Sequence, residues 1–347
     1  MLPRSSGTVQ TRRETLLPGP MVMIRLAFFI TGLALLIYLT LQLGPHNVLS
    51  AILRLKWNLA WVTLIYSASE MIRGAALWKS LPEGESQPYL KMLGIRLSGE
   101  AVRYVTFTGP FVGEPLKAWL LRKTGLPTAG AFAAVITEYL VYAFASAAIG
   151  ITGLSYILGH TSIHGDTSIA AKVILYTMAG FLVIAATAII FRIYVIGAVI
   201  NGLRKLPLVG KRVPWDNAGV RRMEDFLFQV FRERPGKFAA ILALDIAAHA
   251  LLIFELYWIV TSSGVSLRMF QAFLIEAATK FVALGFFFVP MQVGVAEKTY
   301  SIVFSILSLP LAAAVGMSFV RRIRTLIVSA IGLTALARIT ATVSLRG

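Results

Sequence analysis

Charged side chains stand beside helix-breaking residues at two places in an otherwise apolar chain. The sequence VGEPLK occupies positions 112–117 and VGVAEK occupies 293–298, and three of the six positions are identical at one offset (293 − 112 = 181). Irregular backbone inside a membrane persists only where protein or a water-filled cavity satisfies its polar groups. The free ends of broken helices attract ions. The two motifs therefore predict a binding site formed by two broken helices, with chance similarity as the alternative explanation of the match.

Basic residues also interrupt the last long apolar stretch, at Arg321, Arg322 and Arg324. An ionised side chain at the centre of a membrane helix costs about 2.5–3.5 kcal/mol on insertion scales, so these side chains should face the protein interior. Arginine binds phosphate groups through two parallel hydrogen bonds. We weigh contact with an anionic substrate, such as a lipid phosphate, against pairing with an interior carboxylate, with a shifted helix end as a third explanation. The candidate carboxylates are Glu114, Glu138 and Glu297.

Two further pairs of ionisable residues lie four positions apart inside apolar stretches. Glu276 and Lys280 have the acid first, which is the favourable order for an intrahelical ion pair, and we weigh a structural role against a functional one. Asp245 and His249 share one helix face. A metal site would need more ligands and there is no HExxH motif, so this pair is predicted to be a buried polar pair. No metal, cofactor or catalytic site is predicted.

The predicted substrate-binding residues would line one polar cavity between the two broken segments. A lipid head group would pass through this cavity while the acyl chains stay in the bilayer. We therefore expect a translocator and not an enzyme. The predicted residues are Glu114, Lys117, Glu138, Glu297, Lys298, Arg321 and Arg322.

The composition places these residues in an integral membrane protein. Hydrophobic residues make up 57% of the 347 residues and charged residues 14%, against about 25% charged in a soluble domain. The formal net charge of +17 fits basic cytoplasmic loops and contact with anionic lipids, and no nucleic-acid-binding signature is present. Because the chain has no cysteine, disulfides and thiolate metal sites are excluded.

Apolar runs of about 20 residues, long enough to cross a bilayer as helices, recur along the chain. We predict an all-α polytopic fold with one membrane domain at 22–340, behind a basic N-terminal segment at 1–21. Two broken stretches, 89–123 and 268–308, are predicted to form re-entrant hairpins of an inverted repeat. The six predicted spanning helices cover 22–43, 57–79, 128–158, 169–196, 238–262 and 310–338.

Loop charges orient this arrangement in the membrane. The stretch 201–237 contains nine Lys or Arg residues, whereas 159–168 contains none. Since basic loops stay in the cytoplasm, both termini and the 201–237 loop are predicted to be cytoplasmic. Arg54 and Lys56 fit this orientation poorly, because they would lie on the outer side.

Within the 201–237 loop, apolar residues recur at helical spacing and the opposite face is charged. The pattern predicts an amphipathic helix. We weigh two positions for it equally, on the inner leaflet or against the membrane domain of the protein itself. Its apolar face comprises Val220, Met223, Phe226, Leu227, Val230 and Phe231.

Three segments, together with Glu138, carry a resemblance to a known family: 99–126, 286–298 and 320–325. They resemble the lysylphosphatidylglycerol synthase transmembrane-region family, whose members are similar to the flippase domain of bacterial multiple-peptide-resistance enzymes. The resemblance covers about 25–340. Its strongest motif is Gly113-Glu114-Pro115-x-Lys117, within 99–126.

The resemblance implies a bacterial inner-membrane protein that moves or handles lipids. This chain has Val112-Gly113 where the family usually has Gly-Gly, and the usual upstream Asn is not evident, which leaves the lipid unspecified. The chain ends at Gly347, just past the last predicted helix, so aminoacyl transfer to lipid is not expected of it. Members of similar length include a branch associated with hopanoid biosynthesis, so membrane lipids and lipid-biosynthesis enzymes are the implied partners.

Two other functions stay open at this point. The protein could be a non-catalytic scaffold for lipid-synthesis enzymes, with the amphipathic helix as its docking element. It could also be a membrane enzyme that modifies lipid head groups, with Asp245, His249 and Glu255 as its acid and base groups.

Overall fold

The computed structural model of the protein describes residues 57–106, 110–161, 165–205, 217–285 and 295–344. All regular secondary structure within these residues is helical, so the predicted all-α class is confirmed. The predicted first spanning helix at 22–43 and the basic segment before it lie outside the described residues.

Eleven α-helices occur in the described part of the chain, and a short π-helical turn, Gln229–Glu233, follows the seventh. Proline stands at or directly before the start of several of them, where its fixed φ suits the first helical turn. The helices are α1 (Trp57–Lys79), α2 (Tyr89–Val105), α3 (Pro110–Lys123), α4 (Thr128–His160), α5 (Asp166–Ile190), α6 (Val195–Arg204), α7 (Asn217–Phe228), α8 (Pro235–Ser262), α9 (Met269–Gly285), α10 (Val295–Ile306) and α11 (Leu311–Ser344).

Four of these helices are long and apolar enough to cross a membrane: α4, α5, α8 and α11. They match four of the predicted spans. The predicted span at 57–79 forms α1, whose polar residues, Glu70 and Arg73 among them, leave it outside this group. The predicted span at 169–196 was too long, because α5 ends at Ile190 and Arg192 adopts a positive φ of 52° in the turn before α6.

Both predicted broken stretches form pairs of helices in contact with each other. Helices α2 and α3 make the first pair, and α9 and α10 make the second. Helix α2 ends at Val105 and α3 begins at Pro110, with residues 107–109 outside the described part of the chain. Between α9 and α10, residues 286–294 lie outside the described part of the chain. We call the two pairs the first and second hairpin.

Helices α1–α4, the first quartet, and α8–α11, the second quartet, share one contact pattern. Consecutive helices pack against each other in both quartets. Helices α1 and α8 pack together at the centre, α2 packs against α11, and α9 packs against α4. Each of these contacts made by the first quartet therefore has a counterpart in the second.

The two crossings between the quartets are close, and both depend on glycine. A Cβ atom on Gly332 of α11 would lie 2.9 Å from Cβ of Ala101 and 2.2 Å from the carbonyl oxygen of Leu97, both on α2. A Cβ atom on Gly153 of α4 would lie 2.3 Å from Cβ of Ala277 on α9. Ala101 and Ala277 each follow a glutamate in matching sequences, GEAVR and IEAAT. Both crossings therefore place a glycine of one helix against an alanine that follows a glutamate on the other.

Each quartet also has an apolar core of its own. The core of the first quartet includes Leu77, Met92, Leu120 and Ala134, all fully buried. The core of the second is built around Leu256, Ile275, Phe304 and Met317, and Val62 of α1 joins it. Burial and close packing of these side chains stabilise each quartet and fix the positions of its polar residues.

The segment between the quartets contains α5, α6 and α7. Val220 and Met223 of α7 are buried against Ala133 of α4, whereas Arg221 and Arg222 are exposed. Of the two positions weighed for the amphipathic helix, the structure therefore supports packing on the membrane domain. Glu224 fixes the neighbouring helix α6 by accepting hydrogen bonds from the first backbone N–H groups, those of residues 196 (2.8 Å) and 197 (3.2 Å).

Candidate functional site: two buried ion clusters

Eight charged side chains meet where the helices of the first quartet converge, and we call them the first cluster. Four are acidic and four are basic, so their formal charges balance. All four helices contribute, and α4 supplies one residue. The members are Glu70, Glu100, Glu114, Glu138, Arg73, Arg96, Arg103 and Lys117.

Lys117, the last residue of the VGEPLK motif, is fully buried among three carboxylates. Its Nζ atom lies 2.6 Å from Glu114, 3.5 Å from Glu138 and 3.7 Å from Glu100. A buried lysine needs such partners, because an isolated ammonium group would be very costly away from water. The structure thus brings together three of the seven predicted substrate-binding residues, Glu114, Lys117 and Glu138.

Arg96 of α2 is equally buried and was not predicted as a site residue. Its guanidinium group lies 2.8 Å from Glu138, 3.2 Å from Glu70 and 3.4 Å from Glu100. The available signal was the spacing of Arg96, Glu100 and Arg103, which places all three on one face of a helix. Arg103 completes the set at 2.6 Å from Glu100.

Two glycines allow the first hairpin to close on these charges. A Cβ atom on Gly113 would lie 2.8 Å from the carbonyl oxygen of Gly99, and one on Gly99 would lie 2.3 Å from Cγ of Lys117. Real Cβ atoms do not approach other atoms so closely. The glycine of the VGEPLK motif therefore brings α3 against α2 and places Glu114 beside Glu100.

A second cluster occupies the corresponding region of the second quartet. Arg321 of α11 lies 2.7 Å from Glu276 and 3.3 Å from Glu255, and Lys280 lies 2.7 Å from Glu276. Arg324 donates to Glu255 at 3.1 Å. We define the second cluster as these five residues, two acidic and three basic. Arg321 also donates to the Tyr300 hydroxyl (3.3 Å) and to the Leu252 carbonyl (3.0 Å).

The carboxylates observed beside Arg321 are not among the predicted partners Glu114 and Glu138, and the side chain of the third predicted partner, Glu297, lies outside the described residues. Glu255 and Glu276 bind Arg321, whereas Glu114 and Glu138 belong to the first cluster. Sequence spacing cannot show which helices become neighbours, and α11 packs against α10 and α8 in this region. The predicted pair of Glu276 and Lys280 is confirmed, but Glu276 is shared with Arg321.

The remaining predicted site residues have different surroundings. Arg322 is buried on α11 beside Arg321, and the side chain of Lys298 on α10 is exposed. The side chain of Glu297 lies outside the described part of the structure. Of the seven predicted residues, the structure places Glu114, Lys117 and Glu138 in the first cluster and Arg321 in the second, so the described residues do not form one shared site.

Asp245 and His249 are buried, but they do not form the predicted polar pair. The Nε2 atom of His249 lies 3.2 Å from the Ser146 hydroxyl, and its ring stacks on Tyr142 at 4.9 Å. Neither carboxyl oxygen of Asp245 has a hydrogen-bond partner. Tyr142 lies about one turn after Glu138 on α4, and Arg73 links the two by stacking on Tyr142 at 3.6 Å and lying 3.2 Å from Glu138. Within the described residues, no group of three or more His, Asp or Glu side chains has an arrangement that could hold a metal ion.

A small polar cavity of about 40 Å³ opens beside the first cluster. Glu70, Glu100 and Arg103 contribute to its wall, together with Tyr66 and Thr325. Helices α1, α2 and α11 therefore enclose it, and Arg324 of the second cluster stacks on Tyr66 at 3.5 Å. The cavity has room and polar partners for about one water molecule.

An apolar groove of about 730 Å³ runs along the same two helices, α1 and α11. Trp57, Leu64 and Ser67 of α1 and Ile327 of α11 line it. Ser67 borders the groove, and the preceding residue, Tyr66, borders the polar cavity. A polar and an apolar recess are therefore neighbours on one side of the helix pair.

Comparison with known proteins adds one match. The family model described as "Lysylphosphatidylglycerol synthase TM region" matches residues 22–332. No curated protein and no solved structure matches the chain.

Proposed function

The chain belongs to the lysylphosphatidylglycerol synthase TM region family, and we propose that it moves a lipid with a polar or anionic head group across the bacterial inner membrane. The observation that carries this proposal is the pair of ion clusters, one beside each helical hairpin of a protein whose helices are long and apolar. Ionisable groups at membrane depth are expensive, and they commonly mark the path of a polar substrate.

The neighbouring recesses match the two parts of a lipid in polarity, and the polar cavity would have to widen before a head group could enter it. A head group could exchange ion-pair partners with Arg103 and Glu100 at the polar cavity, and the acyl chains could lie in the apolar groove beside it. Lipid binding of this kind keeps the chains in an apolar environment while the charged group stays paired. The second cluster, with more basic than acidic members, would hold a phosphate by paired donors from Arg321.

We further propose that the two quartets are inverted repeats that open alternately to the two sides of the membrane. The shared contact pattern and the two glycine crossings support this arrangement. Three helices able to span a membrane, α4, α5 and α8, separate the first hairpin from the second. An odd number of crossings would place the hairpins on opposite sides, as in secondary transporters with inverted repeats.

Lipid exchange in proteoliposomes tests the function. We expect the purified chain to move a labelled anionic lipid between leaflets. Arg321→Gln should reduce the rate at least tenfold, or about 1.4 kcal/mol of lost differential binding. Arg321→Lys keeps the charge but cannot present two parallel donors, so it should restore only part of the rate. The matched control is Arg192→Gln, which removes an exposed partner of Glu233 and should leave the rate unchanged.

The outcomes separate a structural role of Arg321 from a role in transport and test the translocator proposal itself. Thermal unfolding in detergent must show that the Arg321 variants remain folded, because Glu276 loses a partner in both of them. If a folded Arg321→Gln variant transports as wild type does, Arg321 is structural. If wild type moves no lipid in a broad panel, the translocator proposal is wrong, and the scaffold and enzyme alternatives replace it.

A further inference from the structure

A fifth carboxyl group, that of Asp245 on α8, lies beside the charge-balanced first cluster. Four members of that cluster act on it electrostatically: Glu138, Arg73, Arg96 and Lys117. Asp245 is fully buried, and neither of its carboxyl oxygens has a hydrogen-bond partner. The proposed transport path does not use this group.

The charge of Asp245 follows from this environment. An ionised carboxylate accepts several hydrogen bonds in water and is strongly disfavoured in a buried site that provides none. The acids and bases of the first cluster are equal in number, so an ionised Asp245 would also add an uncompensated negative charge. A protonated carboxyl group adds no negative charge, and its burial without hydrogen bonds costs less than the burial of a carboxylate.

We propose that Asp245 is a proton-binding site that couples lipid movement to protons. The carboxyl group holds a proton in the conformation described here. When the helices move, its O–H bond breaks, the electron pair stays on the carboxylate oxygen, and the proton passes to water. The new carboxylate is then stabilised by Arg73 or Lys117, which must loosen their contacts with Glu138 to reach it.

His249, one turn along α8, connects this site to the first cluster. Its ring stacks on Tyr142, and the guanidinium group of Arg73 lies on the same tyrosine ring at 3.6 Å. Arg73 in turn lies 3.2 Å from Glu138. A movement of Arg73 towards Asp245 would therefore disturb both the aromatic stack and the ion pair.

The groups that face these two residues come from every helix packed nearby. Ser69 of α1 donates to the Ala248 carbonyl between them, and Ser146 of α4 contacts His249. On the other side of α8, Arg321 and Arg324 of α11 are bound to Glu255. The charged and titratable neighbours are Arg73 from α1, Arg96 from α2, Lys117 from α3, Glu138 and Tyr142 from α4, and Lys280 from α9.

Infrared spectroscopy of the full chain in liposomes tests proton binding without any transport measurement. Wild type at neutral pH should show the carbonyl band of an un-ionised carboxylic acid, and ¹³C-labelled aspartate should shift that band. Asp245→Asn should abolish it, whereas the control Asp225→Asn, on the exposed face of α7, should leave it unchanged. The label identifies aspartate even if Asp245→Asn fails to fold. Absence of an aspartate-dependent band in wild type would overturn the proposal.

The coupling step rests on the proposed function and has its own test. Lipid exchange by wild type should depend on the pH difference across the liposome membrane, and exchange by folded Asp245→Asn should not. If Asp245→Asn keeps the pH dependence of wild type, Asp245 does not couple protons to transport. If the infrared band is present but wild type moves no lipid, the proton site stands and the translocator proposal fails.

Discussion

Glu138 and Arg321 have opposite charges at corresponding places in the two quartets. The dipeptides Leu126-Pro127 and Leu309-Pro310 precede α4 and α11, and the offset between them also relates Glu138 to Arg321 (321 − 138 = 183). Glu138 binds Arg96 of α2, and Arg321 binds Glu276 of α9. Each residue thus pairs with an opposite charge on the corresponding helix of its own quartet, α2 for Glu138 and α9 for Arg321.

The sharing of Glu276 between two bases gives an ordered prediction for stability. Glu276→Gln should be the more damaging change, because it removes a partner from both Lys280 and Arg321. Loss of a buried partner typically costs about 3–5 kcal/mol. Lys280→Met should cost less, because Glu276 keeps Arg321. Thermal unfolding in detergent measures both, and the double variant should remain less stable than Lys280→Met because Arg321 still lacks Glu276.

If Lys280→Met destabilised the protein more than Glu276→Gln, the contacts of Glu276 in the second cluster would not determine its stability. A double variant as stable as wild type would mean that Arg321 depends only on Glu255. The exposed pair of Arg192 and Glu233 provides the control, since neutralising either member should change stability by at most about 1 kcal/mol.

At the scale of elements, one helix offers a matched pair of glycines. Gly332 of α11 has no room for a Cβ atom against α2, whereas Gly316 of the same helix has no atom within 4 Å of that position. Gly332→Ala should destabilise the protein by about 1–3 kcal/mol through overpacking. Gly316→Ala should be neutral or stabilising by up to about 1 kcal/mol, because alanine favours the helix. Unfolding in detergent compares the two, and equal effects would show that the α2–α11 crossing is not tight.

The positions of the helices could be predicted from the sequence better than the contacts between helices could. The stretch 89–123 forms two helices as predicted, but α3 continues through Gly113 and Pro115, so the interruption lies before Pro110 and not at these two residues. The end of α5 at Ile190 was missed, since the residues that follow it are also apolar. In helices that are apolar on all sides, the hydrophobic pattern does not identify the buried face.

The candidate site shows the same limit at the level of side chains. The residues Glu114 and Lys117 are three positions apart on one helix, and their contact could be predicted from that spacing. Arg96 and Glu138 are 42 positions apart, and only the packing of α2 near α4 brings them together. Partners from different helices require the tertiary arrangement, which the sequence of one protein does not specify directly.

At the scale of the whole molecule, the orientation of the hairpins determines whether alternating access is geometrically possible. If both hairpins entered from one side, a head group bound between them could not be exposed to the two sides in turn. Positive charges in the 201–237 loop predict a cytoplasmic position for that loop. Helix α8 would then run outward, which would put the turn after it outside and the turn between α1 and α2 inside.

Single cysteines test this orientation directly, because the chain has no cysteine of its own. Ser86, before the first hairpin, and Ser263, before the second, are both exposed. We expect Ser263→Cys to react with an impermeant thiol reagent in intact spheroplasts and Ser86→Cys to react only after lysis. Asp166→Cys should behave like Ser263→Cys, and Arg221→Cys like Ser86→Cys, which provides an independent pair. Labelling of both hairpin positions from the same side would exclude the inverted arrangement and, with it, alternating access through the two hairpins.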